Sequence, residues 1–146
     1  MLRARIVFPL VLLFLPASLA ASTDFLVPPG PQDNPLGIVT GPDGNLWYTN
    51  SNSRSIGRIT PSGVITTFPV PGGVFPDQIT KGADGNLWFT DALADFVGRI
   101  TTSGAITVFP LAAGADPVGI TLGPDNNVWL AQSLNSLPAR APILTS

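Results

Sequence analysis

The chain has 146 residues, of which seven are basic and nine are acidic, giving a formal net charge of −2 at pH 7. All the acidic residues are Asp, and the sequence contains no Glu, no His and no Cys. The acidic balance disfavours nucleic acid and anionic membrane surfaces as partners. Without Cys there are no disulfides, so the folded state has to depend on packing.

The first twenty residues have the pattern of a secretory signal peptide. Arg3 and Arg5 form a short basic region, residues 6–15 are apolar, and Ser18 and Ala20 are the small residues that signal peptidase requires. We predict a signal peptide at 1–20, cleavage after Ala20, and a secreted or periplasmic protein. The alternative is a membrane anchor, which is disfavoured because a spanning helix needs about 20 apolar residues.

The next feature along the chain is a sequence repeat with a constant period of 41 residues. The phrase that begins at Pro35 returns at Pro76 and again at Pro117. Such a period without a helical pattern indicates a stacked array of small sheets. We predict one domain at 21–146, with units near 35–75, 76–116 and 117–146. All the Trp residues fall at the same place in the repeat: Trp47, Trp88 and Trp129.

Each unit contains four short strand signals separated by turn signals. Four antiparallel strands in about 40 residues predict a blade of a β-propeller, and a solenoid of sheets is the alternative. In the first unit, the strands are expected at 37–40, 46–49, 55–60 and 64–68, with turns at 43–45 and 61–63.

The number of blades is lower than a propeller needs. Residues 23–27 match the fourth strand of a preceding blade, and the third unit keeps its pattern only to Ala131, because Pro138 and Pro142 interrupt the next strand. We therefore predict an all-β partial β-propeller of about two and a half blades. Propellers typically have about 4–8 blades. We expect self-association or completion by further blades, because open sheet edges invite pairing.

Several polar residues near the ends of strands do not follow the repeat, and such positions are where a site would be grafted onto a repeating frame. Asp77 has Leu36 and Val118 as counterparts. Together with Asp91 and Asp95 it forms a candidate acidic cluster, with Asp77 and Asp91 as weak candidate metal ligands; solvated loop residues are the alternative. The candidate rim or ligand-binding residues are Asn50, Asp77, Asp91, Asp95 and Gln132.

Other recurring residues are expected to have structural roles. We predict that the three Trp pack between adjacent blades, with an aromatic binding surface as the alternative. Arg58 and Arg99 recur beside a glycine and are expected to bond to a neighbouring loop, with an anion clamp as the alternative. The Asp-Gly-Asn sequences are expected to be turns, with a calcium or magnesium site as the alternative.

The phrases at 41–49, 56–63 and 68–71 closely resemble the NHL-like repeats of the virginiamycin B lyase (streptogramin lyase) family. The resemblance extends from Thr23 to about Ala131. It implies descent from a seven-bladed propeller enzyme that opens cyclic streptogramin antibiotics by elimination at an ester, with Mg²⁺ and with catalytic His and Glu. Because this sequence has neither His nor Glu, those roles have no residues here, and we predict no catalytic residues.

Two functions follow from this comparison as expectations. The first is a secreted, virginiamycin B lyase-like propeller that is a fragment without its own catalytic residues. The second is a non-catalytic propeller segment that binds a ligand or assembles with other proteins. No cofactor is evident in the sequence itself, and Mg²⁺ is implied only by the resemblance. The identity of a small-molecule ligand stays open.

Overall fold

A computed structural model describes residues 34–72, 75–91 and 93–133 of the chain. These residues form ten β-strands and no helix, and hence no helix that could cross a membrane lies among them. The predicted signal peptide, the strand expected at 23–27 and the interrupted end of the third unit lie outside the described residues. The strands are β1 (Pro35–Thr40), β2 (Leu46–Asn50), β3 (Ser55–Ile59), β4 (Ile65–Pro69), β5 (Ile79–Lys81), β6 (Leu87–Asp91), β7 (Phe96–Ile100), β8 (Ile106–Pro110), β9 (Pro117–Leu122) and β10 (Val128–Gln132).

The strands form three sheets, one for each unit of the repeat. Sheet 1 has the order β1-β2-β3-β4, sheet 2 has the order β5-β6-β7-β8, and sheet 3 pairs β9 with β10. All neighbouring strands are antiparallel, and the register repeats: Leu46 faces Ile59 in sheet 1 as Leu87 faces Ile100 in sheet 2. The all-β partial propeller with four-stranded blades is therefore confirmed.

The hydrophobic core lies between the sheets and is divided into two clusters. The first cluster joins sheets 1 and 2 around the fully buried Trp47. The second joins sheets 2 and 3 around Trp88, which is 8% exposed. Trp129 occupies the same position in sheet 3 and is 42% exposed. Each buried Trp thus lies at the contact between its own sheet and the following one.

The two faces of each blade follow from the alternation of side chains along a strand. We call the face with the Trp the trailing face, because it points to the following blade, and the opposite face the leading face. On the leading face of sheet 2, Phe89 lies opposite Gly98 across the strand pair, as Tyr48 lies opposite Gly57 in sheet 1. A Cβ atom at Gly98 would lie 2.1 Å from Cζ of Phe89. Glycine is therefore required by the close approach of the ring.

On the trailing face, an arginine and a phenylalanine cover the Trp. Phe68 stacks on Trp47 with ring centroids 5.5 Å apart, and the Arg58 guanidinium lies 5.6 Å from the centre of the Trp47 ring. Nη1 of Arg58 also donates a hydrogen bond of 3.1 Å to the Thr102 carbonyl oxygen in the β7–β8 turn of the next sheet. Arg99 repeats the contact over Trp88 at 5.8 Å.

Each of the three Asp-Gly-Asn-type turns holds the Trp side chain of the strand that follows it. In the first turn, Oδ1 of Asp43 accepts hydrogen bonds from the Trp47 indole at 3.0 Å and the Asn45 amide at 3.2 Å. The same set of bonds recurs at Asp84 and Asp125. Gly44 has a φ of 75°, and in the third turn Asn126 takes this left-handed position with a φ of 64°.

These hydrogen bonds hold the turn aspartates in their charged form. Burial opposes this effect at Asp43 and Asp84, yet bonds from the Trp indole and the Asn two residues later keep the pKa of each carboxyl below its usual 3.8. Arg99 adds a favourable charge at Asp84. At Asp125, the bonds from Trp129 and Asn127 lower the pKa in the same way. The aspartates therefore act as fixed acceptors inside the turns.

The first prediction concerns the close approach at Gly98. Gly98→Ala should lower the free energy of unfolding by about 1–3 kcal/mol, because its Cβ would overlap the Phe89 ring and force a shift in a packed core. Gly119→Ala is the matched control, since its Cβ would lie 3.4 Å from the Cβ of Ala131, an ordinary contact. Urea denaturation followed by Trp fluorescence measures both. Equal stability of Gly98→Ala and wild type would contradict the packing described here.

The second prediction concerns pH. Because the pKa of Asp84 is lower in the folded chain than in the unfolded chain, its stabilisation is present above about pH 4 and is lost as the pH falls through the folded pKa. Asp84→Asn removes the charge. It also places a side-chain NH₂ group, which is a donor, where Asn86 and Trp88 donate their own N–H bonds. The free energy of unfolding should then fall less between about pH 5 and pH 2.5 than in wild type. Urea denaturation across this range tests it; Ser103→Ala, an exposed turn substitution, should keep the wild-type slope. A wild-type slope in Asp84→Asn would disprove the assignment.

Candidate functional site

The candidate site residues lie along one edge of the array. Pro35 pairs with Asn50, and Pro117 pairs with Gln132, so the start of the first strand and the end of the second strand of a blade lie together. Strands β1, β5 and β9 contact one another in that order, which brings these ends into one line. We call this edge the rim and define it by Leu36, Asn50, Asp77, Asp91, Val118 and Gln132.

Two of the candidate residues hold the backbone of the rim. Oδ1 of Asn50 accepts a hydrogen bond of 2.9 Å from the Asn34 amide, and Oδ2 of Asp91 accepts the equivalent bond from the Phe75 amide. Oδ1 of Asp91 also accepts bonds of 2.9 Å from the amides of Leu93 and Ala94. Asp91 is fully buried, and a buried carboxylate is tolerated when hydrogen bonds satisfy it. Its three amide partners give it a structural role.

Asp95 connects two loops. Its backbone is left-handed, with a φ of 49°, and its carboxylate accepts bonds from the amides of Gly114 at 2.7 Å and Asp116 at 2.9 Å. Bonds from the Asp116 and Gly114 amides lower the pKa of Asp95. In sheet 1 the equivalent residue is Arg54, also left-handed, whose guanidinium lies 4.7 Å from the centre of the Phe75 ring. Both blades tie this loop to the next connection, by different chemistry.

Asp77 lies just before β5, the first strand of the second blade. Its Oδ1 accepts a hydrogen bond of 3.1 Å from Nε2 of Gln78, and both residues are half-buried. The Asp77 carbonyl accepts a bond of 2.5 Å from Oγ1 of Thr49, which joins sheet 1 to the following blade. Gln132, the remaining candidate, is also half-buried, at the end of β10.

The structure does not bring the three members of the predicted acidic cluster together as a metal-binding group in the part of the chain that it describes, and the weak metal candidates Asp77 and Asp91 stay a prediction. No group of three or more His, Cys, Asp or Glu residues there is close enough to hold a metal ion. Two of the three proposed members, Asp91 and Asp95, use their carboxylates to bind backbone amides instead. These residues do not fit the oxygen-rich set that Mg²⁺ requires, so no reaction step is assigned to a metal.

What the rim presents to solvent is mainly apolar. Leu36 is 48% exposed and Val118 is 45% exposed, on either side of the Asp77 position in the array. Such a surface suits contact with an apolar or weakly polar molecule and offers little for proton transfer. Sequence reasoning missed Gln78 as the partner of Asp77. The signal was available, since Gln78 also departs from the repeat, where Gly37 and Gly119 stand.

Comparisons with known proteins point to the virginiamycin B lyases. The model of the virginiamycin B lyase family matches residues 19–140 of the chain. The virginiamycin B lyase of Bordetella parapertussis is 42% identical over 41 residues, which cover 28% of this chain and 14% of the relative. The match to the family is thus broad, while the match to this relative covers about one repeat.

Solved structures of virginiamycin B lyases are also similar to this chain in fold. The crystal structure of virginiamycin B lyase from Staphylococcus aureus superposes with a TM-score of 0.70 at 41% identity and covers 74% of this chain and 37% of that one. A catalytically inactive variant of the same enzyme, with a His replaced by Ala and solved with quinupristin, gives a TM-score of 0.68 at 43% identity, covering 71% and 36%. The chain spans little more than a third of these enzymes. By its sequence and its fold, it belongs to the virginiamycin B lyase family.

Proposed function

We propose that this chain is an exported, virginiamycin B lyase-like propeller segment that does not carry out the elimination by itself. The observation that carries the proposal is that the sequence has no His and no Glu. Elimination at an ester needs a base that removes a proton next to a carbonyl and an acid that supports the leaving group. The side-chain carboxyl groups of this chain are all Asp, and a carboxyl with the Asp reference pKa of about 3.9 is a weak base at neutral pH.

Two observations support this reading. The Asp91 and Asp95 carboxylates accept hydrogen bonds from backbone amides, and Asp95 has a lowered pKa, which makes it a still weaker base. The variant of the Staphylococcus aureus enzyme that lacks one His is catalytically inactive. The resemblance implies that a His is catalytic across the family, and this sequence has no His to take that role.

The alternative is a segment that binds a ligand or assembles with other proteins. The apolar rim at Leu36 and Val118 favours this function over acid–base catalysis. The class of ligand that the family suggests is a cyclic streptogramin peptide, bound but left intact. Mg²⁺, which the resemblance implies for the enzyme, has no fitting ligand set among the described residues.

Export is the second part of the proposal and depends on residues 1–20. The basic start, the apolar stretch and the small residues before Ala21 are the features that a signal peptidase recognises. The mature chain would then fold in the periplasm or outside the cell, where the absence of Cys leaves it indifferent to redox conditions.

The third prediction concerns activity. The purified chain should not open a streptogramin B ring above background, with or without Mg²⁺, because it lacks the His and Glu that the resemblance implies for catalysis and its Asp carboxylates are weak bases. Elimination within a ring leaves the mass unchanged, so the linear isomer is identified by its retention time and fragmentation in liquid chromatography with mass detection. The Staphylococcus aureus enzyme is the positive control. Catalytic turnover well above the no-protein control would disprove the proposal.

The fourth prediction concerns processing. Expressed with its leader in a bacterial host, the chain should be recovered outside the cytoplasm with Ala21 as its first residue. Intact-mass analysis measures this. Replacing Ala20 with a large residue, as in Ala20→Trp, should block cleavage while leaving 21–146 unchanged. An intact chain that begins at Met1 and stays in the membrane fraction would support an anchor instead.

A further inference from the structure

Sheet 3 has an outer edge at β10 with which no described strand pairs. The Gly123 amide donates to the Asn127 carbonyl at the start of the β9–β10 ladder. Bonded pairs alternate along an antiparallel ladder, so Trp129 bonds to β9, while Val128 and Leu130 turn their backbone N–H and C=O groups outward. In sheets 1 and 2, the third strand of the blade takes up these groups. The outer edge of β10 can therefore accept a third strand.

Residues 137–141 stand one period of 41 residues after β7. The connection from β10 to this segment, residues 133–136, is as long as the connections at 51–54 and 92–95 that lead into β3 and β7. The match to the family model also reaches residue 140, within this segment. The segment therefore has the place and the register to add to β10 as β7 adds to β6.

Pro138 and Pro142 argue against a strand here, because proline has no N–H to donate. Their counterparts one repeat earlier, Val97 and Thr101, show whether that N–H is needed. The Thr101 amide donates to the Ala105 carbonyl, on the side of β8, and alternation along the ladder turns Val97 to the same side. Both prolines thus fall where the backbone faces away from the second strand of the blade, the position in which edge strands tolerate proline. They permit a third strand and exclude a fourth.

Two further residues of the third unit change together. In sheet 2, Phe89 lies opposite Gly98, and its ring leaves no room for a Cβ atom there. One repeat later these positions hold Leu130 and Ala139. A leucine has no ring, so the constraint that excludes a Cβ atom at Gly98 is relieved at Ala139. The two changes compensate for each other if Ala139 lies opposite Leu130.

Trp129 is held in place but lacks the cover that the other Trp residues have. Its Nε1 donates a hydrogen bond of 2.9 Å to Asp125, yet the side chain is 42% exposed. In sheets 1 and 2, a guanidinium from the third strand, that of Arg58 or Arg99, lies 5.6 Å or 5.8 Å from the centre of the Trp ring. Arg140 stands one repeat after Arg99, so a third strand in this register sets it opposite Trp129.

We propose that residues 137–141 form a third strand on the outer edge of β10, with Arg140 over the Trp129 ring. Pro138 and Pro142 then lie on the new outer edge, where they block the addition of further strands. The segment acts as a terminal cap of the kind that repeat arrays require. This edge is closed by the chain itself and not by a second copy or another protein. The inference concerns assembly and holds whether or not the chain opens a streptogramin ring.

The fifth prediction concerns hydrogen exchange at this edge, measured by nuclear magnetic resonance on the chain from Ala21 to Ser146. The Leu130 and Ala139 amides should exchange about tenfold or more slowly than unstructured amides, because each donates to the carbonyl of the other. A variant with both Pro138→Ala and Ala139→Pro moves the proline by one residue and turns its nitrogen toward β10. It should lose the protection at Leu130. Pro138→Ala alone is the matched control and should keep it.

A second measurement follows the arginine. Arg140→Ala should shift the Nε1–H resonance of Trp129 and leave that of Trp47 unchanged, because Trp129 lies opposite Arg140 in this register. Unchanged indole resonances of Trp47 and Trp88 also show that sheets 1 and 2 stay folded in each variant. If the shifted proline unfolds the array, the Arg140→Ala measurement decides by itself.

Three results would overturn the proposal: fast exchange at Leu130 in wild type, protection that survives the shifted proline, or a Trp129 resonance that Arg140→Ala does not move. Sedimentation equilibrium at the same concentrations identifies the source of the strand. Protection in a monomer supports the cap. Protection that appears only as the chain associates would assign the strand to a second copy and would equally overturn the proposal.

Discussion

The burial of one Trp per blade against the following blade is the interaction on which the rest of this structure depends. A four-stranded sheet of this size has two faces and little interior of its own, so its stability comes from the neighbouring sheets. The Trp is the largest side chain on the contact face, and three groups of its own blade hold it in place. In sheet 1 these are Asp43, which binds the indole, and Phe68 and Arg58, which cover the ring.

This dependence on neighbours explains how the rim is built. The ends of the strands have to stay aligned from blade to blade, and the polar residues near the rim supply the bonds that align them. Asp91 binds three backbone amides, Asp95 ties its loop to the connection that leads into β9, and Thr49 bonds to the next blade. The carboxylates of Asp91 and Asp95 are thereby occupied by backbone amides. The rim side chains that remain well exposed, Leu36 and Val118, are apolar.

Much of the fold could be predicted from the sequence, because the constant period fixes the strands, the register and the place of each Trp together. The roles of the polar rim residues could not. Asp91 and Asp95 depart from the repeat, which suggested a site, yet their carboxylates meet amides of loops whose conformation depends on left-handed backbone at positions such as Asp95. The exposure of Trp129 was also beyond local sequence reasoning, since it depends on what lies against its face and not on the residues around it.

The central claim is that a Trp stabilises the fold through the blade that follows it. Trp88→Ala and Trp129→Ala test this claim most directly, because the two residues share the same repeat position and the same indole bond to an Asp but are 8% and 42% exposed. Urea denaturation, at a concentration where the chain is a monomer, measures both. Trp88→Ala should cost about 3–5 kcal/mol in the free energy of unfolding and Trp129→Ala much less. Equal losses for the two variants would contradict the account.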